Sequence, residues 1–198
     1  MTSDAMQPPA AGAGGRRSAE SVRSIPGLRG QDHTGITVPD LQAAIDFFVD
    51  VVGCELATRF APFRDDTGSF MADTLDVHPR AVIEQIALLR CGVGSNIEPC
   101  QYSAPDQRTD IPKNSDIGGH HIAFYVDDME AAVAYLKSRG VRVLAGPLPI
   151  TEGPAAGQTI NCFLAPWGLQ LELISYPRGM AYEAHGGTVL WSPKQPDR

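Results

Sequence analysis

Basic residues, long apolar runs and paired cysteines are all scarce in this chain of 198 residues. Lysine and arginine together number 16 against 23 aspartates and glutamates, which gives a formal charge of −7 at pH 7. Because nucleic acids and anionic membrane surfaces attract basic patches, this balance argues against both as partners. No apolar run approaches the roughly 20 residues of a membrane-spanning helix, and residues 1–30 lack the apolar stretch of a signal peptide.

The cysteines form no CxxC pair, and all of them lie in apolar surroundings: Cys54, Cys91, Cys100 and Cys162. This usage is typical of buried free thiols in a reducing compartment. We therefore expect free thiols and a cytoplasmic location. With nucleic acid and membrane disfavoured, the expected partner is a small molecule.

An internal repeat is the most informative feature of the chain. In each half, a short β-like run leads to an aspartate that can cap a helix, Asp40 or Asp128. The helix has one apolar face and ends at a glycine, Gly53 or Gly140. Two further strands around a glycine turn follow in both halves. Such self-similarity predicts two copies of one structural unit.

Sliding the chain along itself aligns chemically important residues. A shift of 88 places His33 on His121, and a shift of 74 places Glu98 on Glu172. The difference between the two shifts indicates about fourteen extra residues in the first half, and the polar, turn-rich segment 63–80 is the natural place for them.

The same alignment decides between two adjacent histidines. His120 falls on Asp32, whereas His121 falls on His33. Since neighbouring residues of a strand face opposite sides, His120 should face away from the site to which His121 belongs.

The repeated order of strand, helix and further strands predicts an α+β fold. Neither unit can bury both faces of its sheet alone, so the two units should pack together. We expect the two sheets to curve around a shared cavity. The predicted organisation is a disordered N-terminal tail at 1–30, a first module at 31–102, a linker at 103–119, a second module at 120–177 and a C-terminal tail at 178–198.

One histidine and one glutamate per module predict a metal site formed by His33, Glu98, His121 and Glu172. Two carboxylates that face a common cavity repel each other unless a cation lies between them. Two imidazoles and two carboxylates suit one divalent ion of zinc, nickel, cobalt, iron or manganese. Taken alone, His33 is more typical of a structural histidine, and it is the repetition that favours a ligand.

Strand alternation predicts which other side chains line the cavity. Counting by twos from the four candidate ligands gives ten residues: Gly35, Thr37, Asn96, Cys100, Tyr102, Ala123, Tyr125, Gln170, Ile174 and Tyr176. We predict Asn96, Tyr102, Tyr125, Gln170 and Tyr176 to bind a small polyoxygenated substrate, with packing at a strand end as the alternative for each tyrosine. Pro99 follows Glu98 and removes a ladder donor, so we expect a bulge or an unpaired position there.

The segments DHTGITVPDL (32–41) and GHHIAFYVDDMEAA (119–132) resemble the vicinal oxygen chelate superfamily of glyoxalase I, methylmalonyl-CoA epimerase, extradiol dioxygenases and bleomycin-resistance proteins. The resemblance covers roughly residues 31–177. It implies paired βαβββ modules that form a cupped, eight-stranded mixed sheet around a metal. It also implies ligands from the first and last strands of each module, which are the four residues named above. The segment 152–179 resembles a bacterial branch in which some members epimerise keto-cyclitols such as 2-epi-5-epi-valiolone.

The resemblance implies a metal-dependent isomerase or epimerase that acts on a small α-hydroxy carbonyl or keto-cyclitol. In the superfamily the metal binds adjacent substrate oxygens and stabilises an enolate or ene-diolate. Metal-bound Glu98 and Glu172 would then act as the proton-transfer bases. A glyoxalase-type lyase, an extradiol-type dioxygenase and a drug-sequestering resistance protein are the alternatives. A homodimer is expected by analogy alone.

Overall fold

The structure is a computed structural model that describes residues 25–60 and 62–197. Most of the tail predicted at 1–30 therefore lies outside the described residues. All the strands lie in the unit that begins at Asp32. Within the described ranges, no helix has the length and apolar character needed to cross a membrane.

The first half of the chain forms a five-stranded mixed sheet with helices. Its elements are β1 (His33–Thr37), α1 (Leu41–Phe47), a π-helical segment (Phe48–Val52), β2 (Glu55–Phe60), β3 (Phe63–Arg64), α2 (Phe70–Leu75), β4 (Val82–Arg90) and β5 (Asn96–Ser103). The strand order is β1-β5-β4-β2, and β3 also pairs with β4. The first strand is parallel to the last one, so both strands begin at the same end of the sheet.

The second half repeats this arrangement. Its elements are β6 (Ile122–Tyr125), α3 (Met129–Ser138), β7 (Arg142–Val143), β8 (Leu148–Pro149), β9 (Thr159–Leu164) and β10 (Gln170–Ser175). The order is β6-β10-β9-β7, with β8 beside β9 and β6 parallel to β10. The predicted α+β fold of tandem modules is confirmed. In detail, the described strands form two sheets of five rather than one sheet of eight, and a two-residue strand accounts for the extra strand in each sheet.

The helix boundaries follow from the capping residues that the sequence indicates. Asp40 accepts a hydrogen bond from the Ala43 amide at 2.9 Å, and Asp128 accepts one from the Ala131 amide at 3.0 Å. The residue that ends the π-helical segment is Gly53, whose φ of 90° suits glycine. These local signals fix where each helix lies against its sheet.

Burial alternates along the strands, so each sheet has a covered face and an open face. On β5, Ile97 is 2% exposed while Glu98 is 25% exposed, and on β10, Leu171 is fully buried beside the partly exposed Glu172. The covered faces carry α1 and α3, whose apolar residues join a single core cluster. The open faces carry the predicted ligands.

The two modules contact each other through these helix-covered sides. Trp167, in the turn between β9 and β10, packs edge-on against Phe47 and Phe48 of the first module, with ring centroids 5.7 and 5.9 Å apart. Arg139 at the end of α3 also donates to the Asp50 carbonyl at 3.3 Å. The apolar helices therefore provide the inter-module core, and within the described residues of one chain the four predicted ligands do not come together around one cavity.

The first module contains an additional segment and a disulfide. The extra residues of the first half include β3 and α2, and Met71 of α2 is fully buried against Ala81 and Ile83. The expectation of free thiols is wrong for Cys54 and Cys91, which form a disulfide. Cys100 and Cys162 are free, as expected.

Candidate metal and proton-transfer site

The first candidate pair is His33 and Glu98, at the open face of the first sheet. Because β1 and β5 are parallel with Gly35 opposite Glu98, the carboxylate reaches back to the imidazole, and Glu98 Oε2 lies 3.5 Å from His33 Nε2. The other ring nitrogen, Nδ1, lies 2.7 Å from Oδ1 of Asp32. The hydrogen bond with Asp32 raises the pKa of His33 against a lowering by burial, and the charge of Glu98 adds to the rise.

The second pair, His121 and Glu172, repeats the geometry on the second sheet. Glu172 Oε2 lies 3.0 Å from His121 Nε2, and its side chain is only 12% exposed. The Nδ1 atom of His121 lies 3.2 Å from Nδ2 of Asn114, a residue of the segment that connects the modules. The neighbouring His120 instead contacts the Gly118 carbonyl at 3.1 Å, as expected for a residue outside this pair.

In each pair, one ring nitrogen of the histidine lies near a carboxylate and the other lies near a neighbouring polar side chain. A metal-bound histidine commonly holds its second ring nitrogen in a hydrogen bond, which orients the ring. For His33, Nδ1 can donate to the Asp32 carboxylate, which leaves Nε2 without a proton and facing Glu98. For His121, the Asn114 amide accepts from Nδ1–H only through its oxygen, with the amide turned by 180° from the Nδ2-to-Nδ1 placement, and Nε2 then faces Glu172 without a proton. Nitrogen and oxygen donors about 2.0–2.2 Å from one ion, at tetrahedral to octahedral angles, lie about 3.0–3.5 Å apart. The measured separations of 3.5 and 3.0 Å therefore fit two donors of a single divalent ion.

The two pairs do not converge within one chain. Among residues 25–60 and 62–197, no three His, Cys, Asp or Glu side chains come together as a cation site. Each His–Glu pair, which we call a half-site, lies on its own open sheet face, because the modules pack through their opposite faces. Each histidine lies 3.5 or 3.0 Å from the glutamate of its own module, whereas the placement of one pair relative to the other depends on inter-module packing. The role of all four residues as ligands of one metal stays a prediction.

Glu98 keeps its position despite the proline that follows it. Pro99 pairs with Ile36 of β1, but the ladder between β4 and β5 is interrupted at residues 98 and 99. This is the unpaired position expected of a residue that cannot donate. The interruption lies on the β4 side, so it does not move Glu98 away from His33.

Three of the predicted substrate-binding residues lie beside the two pairs. Asn96 stands opposite His33 in register and donates to the Asp32 carbonyl at 3.2 Å. Gln170 donates to Cys162 Sγ at 3.3 Å, next to Glu172. Tyr102 lies on the same face of β5 as Glu98, and burial raises the pKa of its hydroxyl. The last member of this face, Cys100, has its thiol pKa raised by burial to about 11 and stays protonated at neutral pH.

Tyr125 and Tyr176 have contacts that favour the packing alternative. Their rings meet edge-on with centroids 4.9 Å apart, and burial raises the pKa of Tyr125. The Tyr176 hydroxyl donates to Ser192 Oγ at 2.9 Å, and Lys194 Nζ lies 5.2 Å from the Tyr176 ring centroid. The C-terminal segment therefore covers this end of the second sheet.

Sequence reasoning missed the two residues that hold the Nδ1 atoms. Asp32 directly precedes His33, so an acidic neighbour was visible as a candidate partner. Asn114 lies seven residues before His121 in an irregular segment, and nothing in the sequence pattern connects the two.

Comparisons with known proteins agree with this architecture. A sequence profile of the Glyoxalase/Bleomycin resistance protein/Dioxygenase superfamily matches residues 32–163. The 2-epi-5-epi-valiolone epimerase of an Actinomyces species is 46% identical over 173 residues, which cover 87% of this chain and 93% of that protein. The uncharacterized protein YaeR of Escherichia coli K12 is 29% identical over 147 residues, 74% of this chain and 96% of its own length.

Among solved structures, a glyoxalase family protein from Bacillus cereus superimposes with a TM-score of 0.59 at 19% identity. The match covers 77% of this chain and 98% of that one. At this level of identity the likeness concerns the fold alone.

Proposed function

The chain belongs to the glyoxalase/bleomycin resistance protein/dioxygenase superfamily, and from this premise we propose that it is a metal-dependent epimerase of a keto-cyclitol or a related α-hydroxy ketone. The observation that carries the proposal is the repeated pair, with His Nε2 and Glu Oε2 3.5 Å apart in one module and 3.0 Å apart in the other. The 46% identity to a 2-epi-5-epi-valiolone epimerase supports the reaction and the substrate class.

The residues that would hold the metal are His33 and Glu98 from one half-site and His121 and Glu172 from the other. Their nitrogen and oxygen donors suit zinc, nickel, cobalt, iron or manganese, and no thiolate takes part. When bound, such an ion supplies a Lewis acid that polarises the ketone and makes the adjacent C–H bond more acidic.

A second copy of the chain would complete the site. Each half-site lies on an open sheet face, with its histidine side chain 41% or 42% exposed. The strands β1 and β6, where the histidines lie, are edge strands in their sheets. We propose a two-fold homodimer in which the first half-site of one chain faces the second half-site of its partner, which gives two equivalent sites.

Glu98 and Glu172 would carry the proton transfers. Epimerisation next to a ketone removes a proton from one face of the carbon and returns a proton to the other face. One glutamate, as the carboxylate, would accept the proton while the C–H electron pair moves toward the ketone oxygen. The other glutamate, as the carboxylic acid, would give its proton to the opposite face of the same carbon, where the returning electron pair forms the new C–H bond. The pairing of each glutamate with its own histidine orients both carboxylates. A cytoplasmic location, and the absence of nucleic-acid and membrane partners, stay predictions.

The test is solvent exchange on a defined substrate. The purified chain, loaded in turn with each candidate metal, is incubated with 2-epi-5-epi-valiolone in deuterated water and followed by NMR. We expect a second epimer together with deuterium at the carbon next to the ketone, both abolished by a chelator and restored by metal. Oxygen consumption without exchange would favour a ring-cleaving dioxygenase, and tight binding without exchange would favour a sequestering protein.

A further inference from the structure

A cavity of about 520 Å³ lies beside the first half-site, between β1, the connecting segment and the second module. One wall comes from residues 35–39, and another from residues 107–112, which we call the linker wall. Trp167 and Leu169 of the β9–β10 turn also line the cavity. A volume of this size lies within the range of about 300–1,000 Å³ that is usual for small-molecule sites.

A glycine of the cavity lining lies next to the carboxylate of Glu98. Gly35 lines the cavity and stands opposite Glu98 in the β1–β5 register. A Cβ atom placed on Gly35 would lie 3.7 Å from Glu98 Oε2. Thr37 and Tyr102, which share the open face with Glu98, line the same cavity. A molecule in the cavity would therefore extend directly toward the proton-transfer group.

The walls combine hydrogen-bonding and apolar surfaces. Arg108, Asp110 and His120 bring donors and acceptors to the lining, and Ile111 and Trp167 bring apolar surface. A saturated ring with hydroxyl groups at its edge and C–H bonds on its faces matches this combination. A long apolar ligand would leave the charged groups unsolvated, which is costly.

Contacts with the second module fix the linker wall in place. The side chain of Ile111 lies against Gly168, where an added Cβ would be 3.9 Å from Ile111 Cγ1. Farther along the same segment, Asn114 reaches His121. The connection between the modules therefore contacts the second half-site with one residue and lines the cavity beside the first half-site with others.

Arg108 is the group of the linker wall best suited to recognise hydroxyls. Its guanidinium makes no hydrogen bond or ion pair with the part of the chain that the structure describes. Five N–H donors in a planar fork can bind two neighbouring oxygens at once. An unengaged arginine in the lining of a cavity next to a catalytic carboxylate is thus available for a ligand.

We propose that the linker wall is the specificity-determining surface of the substrate site and that Arg108 binds ring hydroxyls remote from the reacting carbon. This inference rests on the proposed function and deepens it. It assigns the polyhydroxylated ring to the 520 Å³ cavity and leaves the ketone and its neighbouring carbon toward Glu98.

The experiment compares Arg108→Ala with Lys113→Ala, which removes the same charge from the same segment at a position that does not line the cavity. Binding of 2-epi-5-epi-valiolone to the metal-loaded full chain is measured by calorimetry, and epimerisation is measured separately. We expect Arg108→Ala to weaken binding and to raise KM by about tenfold with a much smaller change in kcat, since a hydrogen bond to a charged group is lost. Lys113→Ala should match the wild type.

The two readouts separate the inference from the proposed function. Binding that is weakened by Arg108→Ala in a protein without epimerase activity would contradict the proposed function and support the cavity assignment. Equal binding by Arg108→Ala and the wild type would overturn the assignment, whatever the activity, and so would a wild-type protein that does not bind this probe.

Discussion

The imidazole of His121 and the carboxylate of Glu172 are held 3.0 Å apart at the boundary between core and solvent, with the histidine side chain 42% exposed and the glutamate 12% exposed. The glutamate is fixed by its strand, whereas the histidine is oriented from its other side by Asn114. His33 and Glu98 have the same relationship, with Asp32 in the orienting position. Each module thus presents one nitrogen and one oxygen donor to a space outside its own chain's core.

Metal retention should distinguish two adjacent histidines. We expect the wild-type protein to purify with about one divalent ion per chain, and His121→Ala to lose it, because a two-ligand half-site cannot be reduced to one without a large loss of affinity. His120→Ala is the matched control and should keep its metal, since His120 contacts the Gly118 carbonyl rather than Glu172. Elemental analysis of the three proteins checks this, and equal metal contents would contradict the site.

The contact from Asn114 to His121 predicts an effect on affinity without a change of ligand. Removing such an orienting partner typically costs about 10–100-fold in metal affinity. Asn114→Ala should therefore need a correspondingly higher free metal concentration in competition with a chelator, while Asn114→Asp should retain affinity because a carboxylate can accept from Nδ1. Lys113→Ala controls for changes in the segment. An equal loss of metal affinity in Asn114→Ala and Asn114→Asp would indicate that Asn114 has a structural role instead.

Local and repeated features of the molecule could be predicted from the sequence. Asp40 and Asp128 cap their helices because an aspartate directly before an apolar periodic segment can accept a hydrogen bond from a free amide of the first helical turn. The pairing of His33 with Glu98 followed from strand alternation within a repeat. Both inferences concern residues whose relationship is set by one backbone ladder or one turn of helix.

Features that depend on contacts between distant segments could not be predicted. The contact of Trp167 with Phe47 decides which sheet faces are covered, and nothing in either local pattern encodes it. The Cys54–Cys91 disulfide links the residue after Gly53 to the end of β4 across 37 positions. The hydrogen bond from the Tyr176 hydroxyl to Ser192 joins residues 16 positions apart, and the role of Tyr176 toward substrate stays a prediction.

The inter-module core should dominate the stability of the fold. Phe48 is fully buried and packs against Trp167, so Phe48→Ala should lower the free energy of unfolding by about 3–5 kcal/mol through lost burial and a residual cavity. Phe60→Ala deletes the same atoms from a side chain that is 46% exposed and should cost much less. Denaturant titration of both variants checks the difference, and similar costs would contradict the packing described here.

Acid sensitivity of the first module should depend partly on Asp65. Hydrogen bonds from the backbone amides of Gly68, Phe70 and Thr67 lower the pKa of this carboxyl below its usual 3.8, and Arg80 adds to the lowering. Because the pKa of Asp65 is lower in the folded than in the unfolded state, its ionised carboxylate stabilises the fold at pH values above the unfolded-state pKa. This stabilisation is lost as the pH falls through the folded-state pKa. Asp65→Asn should thus be less stable than the wild type at pH 7. The difference in stability between the two proteins should become smaller below a pH of about 4. Thermal unfolding of both proteins between pH 7 and pH values below about 4 checks this prediction. A stability difference that does not change with pH would exclude the charge of Asp65 as its cause.

Mixing two inactive variants tests whether a second chain completes the site. His33→Ala and His121→Ala should each lack activity as homodimers. If each site combines the first half-site of one chain with the second half-site of its partner, a heterodimer of these variants has one site with both defects and one intact site. Random exchange makes about half of the dimers mixed, so about a quarter of wild-type activity should return.

The control for this recovery uses two defects in the same half-site. A mixture of His33→Ala with Glu98→Ala should stay inactive, because every site in the mixed dimer then carries one of the two substitutions. If each chain instead formed a complete site by itself, neither mixture would gain activity. Recovery in the first mixture alone therefore requires that the ligands of one metal come from both chains, as the proposed homodimer predicts.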